Sequence, residues 1–243
     1  MRGMPISRRP SRRATGPLAA ALALLTLAAA GAAAAPAGAT TRPSTLLSKA
    51  LRDATHAKWV HEVIATTTEG HSVSMTNAIG TAAGHQVIVA DGHHAAVLVL
   101  GGTAFIEGDA KALAGYFGIP ADDISKLAGK WMSVPPSDAE YQTVSAAVTL
   151  ASDFDNLGLS GHLKEGSMVT VDGQRAIPIT GTFSAGSAKV PATMYVTTGA
   201  APLPIEFKAS GHGLKSITRW SDWGHGVTLT VPSDAIPAAD LGL

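Results

Sequence analysis

The spacing of apolar positions changes several times along the chain. Residues 43–59 carry Leu46, Leu47, Ala50, Leu51 and Ala54 at i, i+3 and i+4 intervals, the stripe of an amphipathic helix, with Ser44 as its N-cap. Beyond Trp59 the period falls to two. Residues 59–68 and 71–79 are rich in Val, Ile and Thr and predict two strands, joined by a tight turn at Glu69-Gly70. Residues 84–90 and 93–100 predict a second hairpin about Asp91-Gly92, a pair that accepts the positive φ angles of a type I′ turn. That turn sets the register, so Ala90 opposes His93 and Ile88 opposes Ala95.

A strand at 103–107 leads back to helical spacing over 109–117 and 121–127, with Gly118 and Pro120 dividing the two pieces. Residues 130–134 read as a strand that Pro135-Pro136 stops. Ser137 or Asp138 then caps a helix running to about Leu150, with Val144, Ala147, Val148 and Leu150 on one side. From His162 onward the chain reads as a meander, with strands at 168–171 and 175–182 about Asp172-Gly173, then at 190–197, 203–209, 214–220 and 227–231. There is no repeat of fixed period and no linker, so one domain is expected. Strands, a helical insertion and more strands imply helices packed on one face of a large antiparallel sheet, which at about ten strands must curl.

Residues 1–39 differ from the rest. They hold Arg2, Arg8, Arg9, Arg12 and Arg13, no acid, an apolar run over 17–35, and the A-x-A site Ala37-Gly38-Ala39, the signature of a signal peptide. Cleavage after Ala39 leaves residues 40–243 as one domain secreted or held in the cell envelope; left uncleaved, the same run is long enough for an N-terminal membrane anchor. Arg12-Arg13 lacks the bulky apolar residue that follows a twin-arginine signal, so the export route stays open between Sec and Tat. Removing five arginines from 18 basic residues leaves 13 against 18 acidic ones, a net charge of −5 that argues against nucleic acid as a partner. The chain has no cysteine. Disulfides, thiolate metal sites, cysteine nucleophiles and a lipid-modified cysteine are thereby excluded.

Catalytic patterns are missing. The nine histidines show no ligand spacing, although His93 or His94 could meet Asp91 in the turn, and two ligands do not make a zinc site. Gly181-Thr182-Phe183-Ser184-Ala185-Gly186 misses the nucleophile elbow by one position, and no phosphate loop is present. The paired carboxylates Asp122-Asp123 and Asp153 with Asp155 fall near helix ends, where dipole and capping effects account for them. A non-enzymatic protein without cofactor or metal is expected. Val87-Ile88-Val89 and the run 95–100 are apolar on consecutive positions, so both faces of these strands are covered, one by a core and the other by helices or a ligand. Leu113, Tyr116, Phe117, Ile119 and Ile124 of the helical insertion either close a ligand space or complete a dry core.

Several stretches, taken in order, carry a resemblance. They are residues 51–63, Thr103-Ala104-Phe105-Ile106-Glu107-Gly108, Leu127-Ala128-Gly129-Lys130-Trp131-Met132-Ser133-Val134-Pro135, Thr170-Val171-Asp172-Gly173-Gln174-Arg175-Ala176, Met194-Tyr195-Val196 leading to Pro202-Leu203-Pro204, and Trp220-Ser221-Asp222-Trp223-Gly224. In this layout the chain resembles the actinobacterial envelope lipoproteins typified by the mycobacterial LppX and LprG lipid carriers, within the LolA-like group. The resemblance implies an α+β fold, a curved antiparallel β half-barrel with helices packed on its concave face. It also implies an apolar cavity between the layers for acyl chains, with Leu113, Phe117, Ile119, Leu150, Phe154 and Met194 as lining candidates and no catalytic residue. The departure is the absent lipobox cysteine. The expected function is transport or shielding of a lipid or other apolar molecule, with membrane contact on the way; the alternative is an envelope protein–protein interaction module with a filled core.

Overall fold

The computed structural model describes residues 42–243 apart from 128 and 156; the leader and its cleavage site lie outside the described residues. Helix α1 (Arg42–Thr55) precedes strands β1 (Trp59–Thr68), β2 (His71–Gly80), β3 (Gly84–Ala90), β4 (His93–Leu100) and β5 (Thr103–Gly108). Then follow α2 (Ala110–Phe117), α3 (Ala121–Leu127), the short β6 (Met132–Val134), α4 (Ala139–Ala146) and α5 (Leu150–Asp155). The second meander is β7 (Ser160–Glu165), β8 (Val169–Val171), β9 (Gln174–Ala185), β10 (Ala188–Thr197), β11 (Pro204–Gly211) and β12 (Leu214–Ser221). A two-residue strand β13 (Ile236–Pro237) and a 3₁₀ turn end the chain.

Among the described residues, thirteen strands form one sheet in the order β13-β6-β5-β4-β3-β2-β1-β12-β11-β10-β9-β7, with β8 also on β9. The pairs are antiparallel except β13 with β6. The two meanders meet where β1 pairs with β12, from His61 opposite Ser221 to Thr68 opposite Leu214. The fold is the expected α+β architecture, an open, curved antiparallel sheet carrying helices on its concave side. The hairpins behave as their turn residues dictate. Glu69-Gly70 and Asp91-Gly92 all have positive φ, and Ala90 faces His93 while Ile88 faces Ala95.

Four local expectations are corrected. Ser44 lies inside the first turn of α1 and does not precede it. The expected helix up to Leu150 is two helices, α4 and α5, broken at 147–149 because the chain dips onto the sheet there. Val148 is fully buried and Thr149 bridges Gly80. Glycine makes this approach possible: a Cβ on Gly84 would collide with the Val148 carbonyl and stand 2.8 Å from Val148 Cβ. Residues 227–231 alternate like a strand but pair with nothing in the sheet. β12 is already flanked by β1 and β11, so no free edge remains beside it. The chain instead turns away through Asp222 and Gly224, both at positive φ, and the Gly224 N–H donates to the Trp59 carbonyl. Finally, Asp91 meets His71 at 2.7 Å, not His93 or His94, whose rings lie 3.3 and 3.5 Å from Asp109.

Candidate functional site

The concave face is organised by strand alternation. On β1 the inward positions are Val60, Glu62 and Ile64, and on β2 they are Val73, Met75, Asn77 and Ile79, all buried. Helix α1 covers the half of the sheet around β10 and β11, pressing Leu47, Ala50 and Ala54 inward; the two alanines let its backbone approach closely. Helix α5 lies beside α1 and inserts Leu150 and Phe154, four residues apart on one face. The Phe154 ring sits 5.6 Å from Trp220 and 5.5 Å from Trp223.

Between α1 and the segment after α5 runs an open groove of about 480 Å³. Leu47, Leu51, Phe154, Leu157 and Leu159 form its apolar walls, and Arg52 and Asp155 stand among its polar lining. A second hollow of about 330 Å³ lies where α2 and α3 meet β4 and β5, with Leu113 and Ile124 against His94, Glu107 and Asp109. The six expected lining residues are divided between these regions. Leu150, Phe154 and Met194 belong to one packed cluster with Ile79, Phe207 and Trp220. Leu113 and Ile119 belong to another with Val97, Ile106 and Met132, and Phe117 is half-buried against that cluster and a third around Ile88. Phe154 reaches the first groove and Leu113 the second.

Beneath α5 lies a polar cluster that the sequence reading did not single out. Glu62, 2 % exposed, accepts from the Trp220 indole N–H at 2.9 Å and from the Asn77 amide at 2.5 Å. Among the described residues no lysine, arginine or histidine pairs with it. Glu206, the other buried glutamate, differs in being held by Lys208 at 2.6 Å and Arg219 at 3.0 Å. Burial raises the Glu62 carboxyl to about 7, against the smaller lowering effects of the Asn77 and Trp220 hydrogen bonds. Asp153 is half-buried as a residue, yet its Oδ2 is sealed from solvent without a partner. Burial first, and then the charge of Glu62, push its pKa well above the usual carboxylate range. The Asn77 Oδ1 and the Trp223 indole nitrogen are also buried without partners. A signal for Glu62 was present, since alternation from Val60 to Ile64 aims it inward. Asp153 carried none, because the charge that acts on it lies 91 residues away.

The fold has known counterparts among solved structures. LprF from Mycobacterium bovis superposes with a TM-score of 0.54 at 14% identity, over 79% of this chain and 97% of that one. This chain shares the LprF fold. The lipoprotein LppX of Mycobacterium tuberculosis gives 0.49 at 17% identity over 78% and 100% of the two chains, and an uncharacterized conserved protein from Thermus thermophilus gives 0.43 at 11% over 81% and 98%. No family model matches the sequence, and no curated protein matches it.

Proposed function

We propose that this chain is an exported envelope protein of the LppX/LprG-like kind that carries a lipid or other long apolar molecule between sheet and helices, without catalysis. The observation that carries this reading is the groove between α1 and α5. Its volume falls within the roughly 300–1,000 Å³ of ligand sites, leucines and Phe154 form its apolar walls beside the polar Ser48, Arg52, Thr55 and Asp155, and Phe154 connects it to an apolar core cluster. Affinity of this kind scales with apolar area removed from water, at about 25 cal/mol per Å². A chain in the groove would meet Phe154 directly, with Leu150 and Met194 packed behind it in the same cluster. Leu113 would serve the second hollow, with Phe117 and Ile119 in the packing around it. The leader supports export, and the absence of a cysteine leaves release, or retention by an uncleaved apolar run, as the ways the protein meets the membrane.

The second reading, an envelope protein-interaction module with a filled core, is favoured by the complete burial of Leu150, Ile79 and Met194. Native mass spectrometry of the exported protein, purified without detergent, separates the two. A mass exceeding the chain by an apolar molecule, or saturable uptake of a fluorescent fatty acid, is expected; a bare mass with no uptake overturns the carrier reading.

A further inference from the structure

The groove between α1 and the segment after α5 carries charge as well as apolar surface. On α1, Leu47 and Leu51 lie about one turn apart and form an apolar stripe; Ser48 and Arg52, each one residue further on, form a polar stripe beside it. Asp155, the last residue of α5, completes the lining. Arg52 and Asp155 are the charged residues of this lining, one of each sign. Both are exposed, and among the described residues neither side chain has an ion-pair or hydrogen-bond partner, so they do not pair with each other. The neighbouring charges are taken, since Lys49 closes on Asp53 at 2.6 Å. Thr55 and His56 bond the Arg52 carbonyl at 2.8 and 2.7 Å, which ties the end of α1 and leaves the guanidinium unengaged. The helix dipole accounts for a basic residue in the last turn of α1, but it disfavours Asp155, because the terminal carbonyls of α5 carry partial negative charge.

We infer that the groove takes a single-chain amphiphile with a zwitterionic headgroup, its anion on Arg52, its ammonium on Asp155 and its chain along the leucines beside them. This deepens the carrier reading by naming the class of cargo, and it rests on that reading. A guanidinium and a carboxylate that line one groove without touching leave a gap that a headgroup carrying both signs bridges. A purely anionic head gains Arg52 and meets Asp155, a cationic head does the reverse, and an uncharged head uses neither. The planar fork of arginine accepts phosphate and carboxylate alike, so a headgroup anion of either kind fits. Ser48, exposed about one turn before Arg52, adds a hydroxyl donor on the same face. The volume of about 480 Å³ lies in the lower half of the roughly 300–1,000 Å³ of ligand sites, which suits one chain.

Displacement of a fluorescent fatty acid from the full exported chain tests the inference, with competitors of equal chain length held below their micelle concentrations. Palmitoyl lysophosphatidylethanolamine and N-palmitoyl-lysine are the zwitterions, with a phosphate and a carboxylate anion; palmitate is the anion, hexadecylamine the cation and monopalmitoylglycerol the neutral reference. Exposed pairings of this kind each contribute roughly two- to fivefold, so a zwitterion is expected to bind about tenfold more tightly than monopalmitoylglycerol, an advantage that shrinks as salt is added. Asp155→Asn is expected to bring palmitate to the head of the order, and Arg52→Gln to bring hexadecylamine there. Both positions are exposed, and melting temperatures close to the parent's show that a changed order reports the headgroup and not the fold. Equal affinity for all headgroups, or an order that neither substitution changes, overturns the inference and leaves the carrier reading standing. If neither the fatty acid nor any competitor binds, the carrier reading falls and the inference falls with it.

Discussion

Trp220 donates its indole N–H to Glu62 across the seam where β12 joins β1, and the two residues face each other in the strand register. This side-chain bond adds to the backbone pairing of the two meanders at a buried acid that, among the described residues, has no counter-charge. The stability of the seam follows the protonation of that acid.

The folded state keeps the Glu62 proton up to about pH 7, whereas the ordinary value is 4.5, so folding takes up a proton between these limits. The contribution is fully present below pH 4.5 and is lost as pH rises to 7; above that the parent carries a penalty on the order of 3 kcal/mol. Glu62→Gln is expected to flatten the dependence and to be the more stable protein at pH 8. Urea denaturation of both chains at pH 5 and pH 8 measures it.

Gly84→Ala places a methyl against the Val148 carbonyl and 2.8 Å from the Ala78 carbonyl. Neither is a flexible side-chain end, so the backbone must shift, at about 1–3 kcal/mol or more. The expected outcome is a lower melting temperature, with chemical-shift changes centred on 147–150, the break between α4 and α5.

Asp109 caps α2 by accepting from the Lys111 and Ala112 N–H groups at 3.0 Å, and its other oxygen accepts from the His94 N–H at 2.9 Å. Asp109→Ala removes the cap and the tie to β4 together, an expected loss of roughly 1–2 kcal/mol. Asp109→Asn retains much of it. Thermal melts of the two variants provide the comparison.

Ser48 is exposed on α1 and lines the groove. Ser48→Trp fills the groove from its rim without touching the core, so stability should stay within about 0.5 kcal/mol of the parent. Fatty-acid affinity should fall about tenfold or more, equivalent to about 1.4 kcal/mol. Retention of full affinity would place the ligand elsewhere.

The hairpins were legible because their information is local: Asp91-Gly92 fixes its own φ angles and thereby the register of β3 and β4. The α4–α5 break was not legible. It depends on Gly84, more than 60 residues upstream, which leaves room for Val148, and on the bridge of Thr149 to Gly80. Residues 227–231 have strand alternation, and what denies them a strand is the occupancy of both sides of β12. At the site, the apolar stripe of α1 was readable and supplies Leu47 and Leu51 to the groove. Glu62 and Asp153 each had an innocent local reading, as part of a strand and of a helix end; that the charge of Glu62 acts on Asp153 follows only from the tertiary fold.

A spin-labelled fatty acid tests most directly whether an apolar chain occupies the groove between α1 and the segment after α5. Relaxation enhancement in amide NMR spectra is expected to be strongest at Leu51, Phe154 and Leu157, and to weaken in Ser48→Trp. No enhancement at saturating label, or enhancement confined to the outer face around Val63 and Val89, would contradict the account.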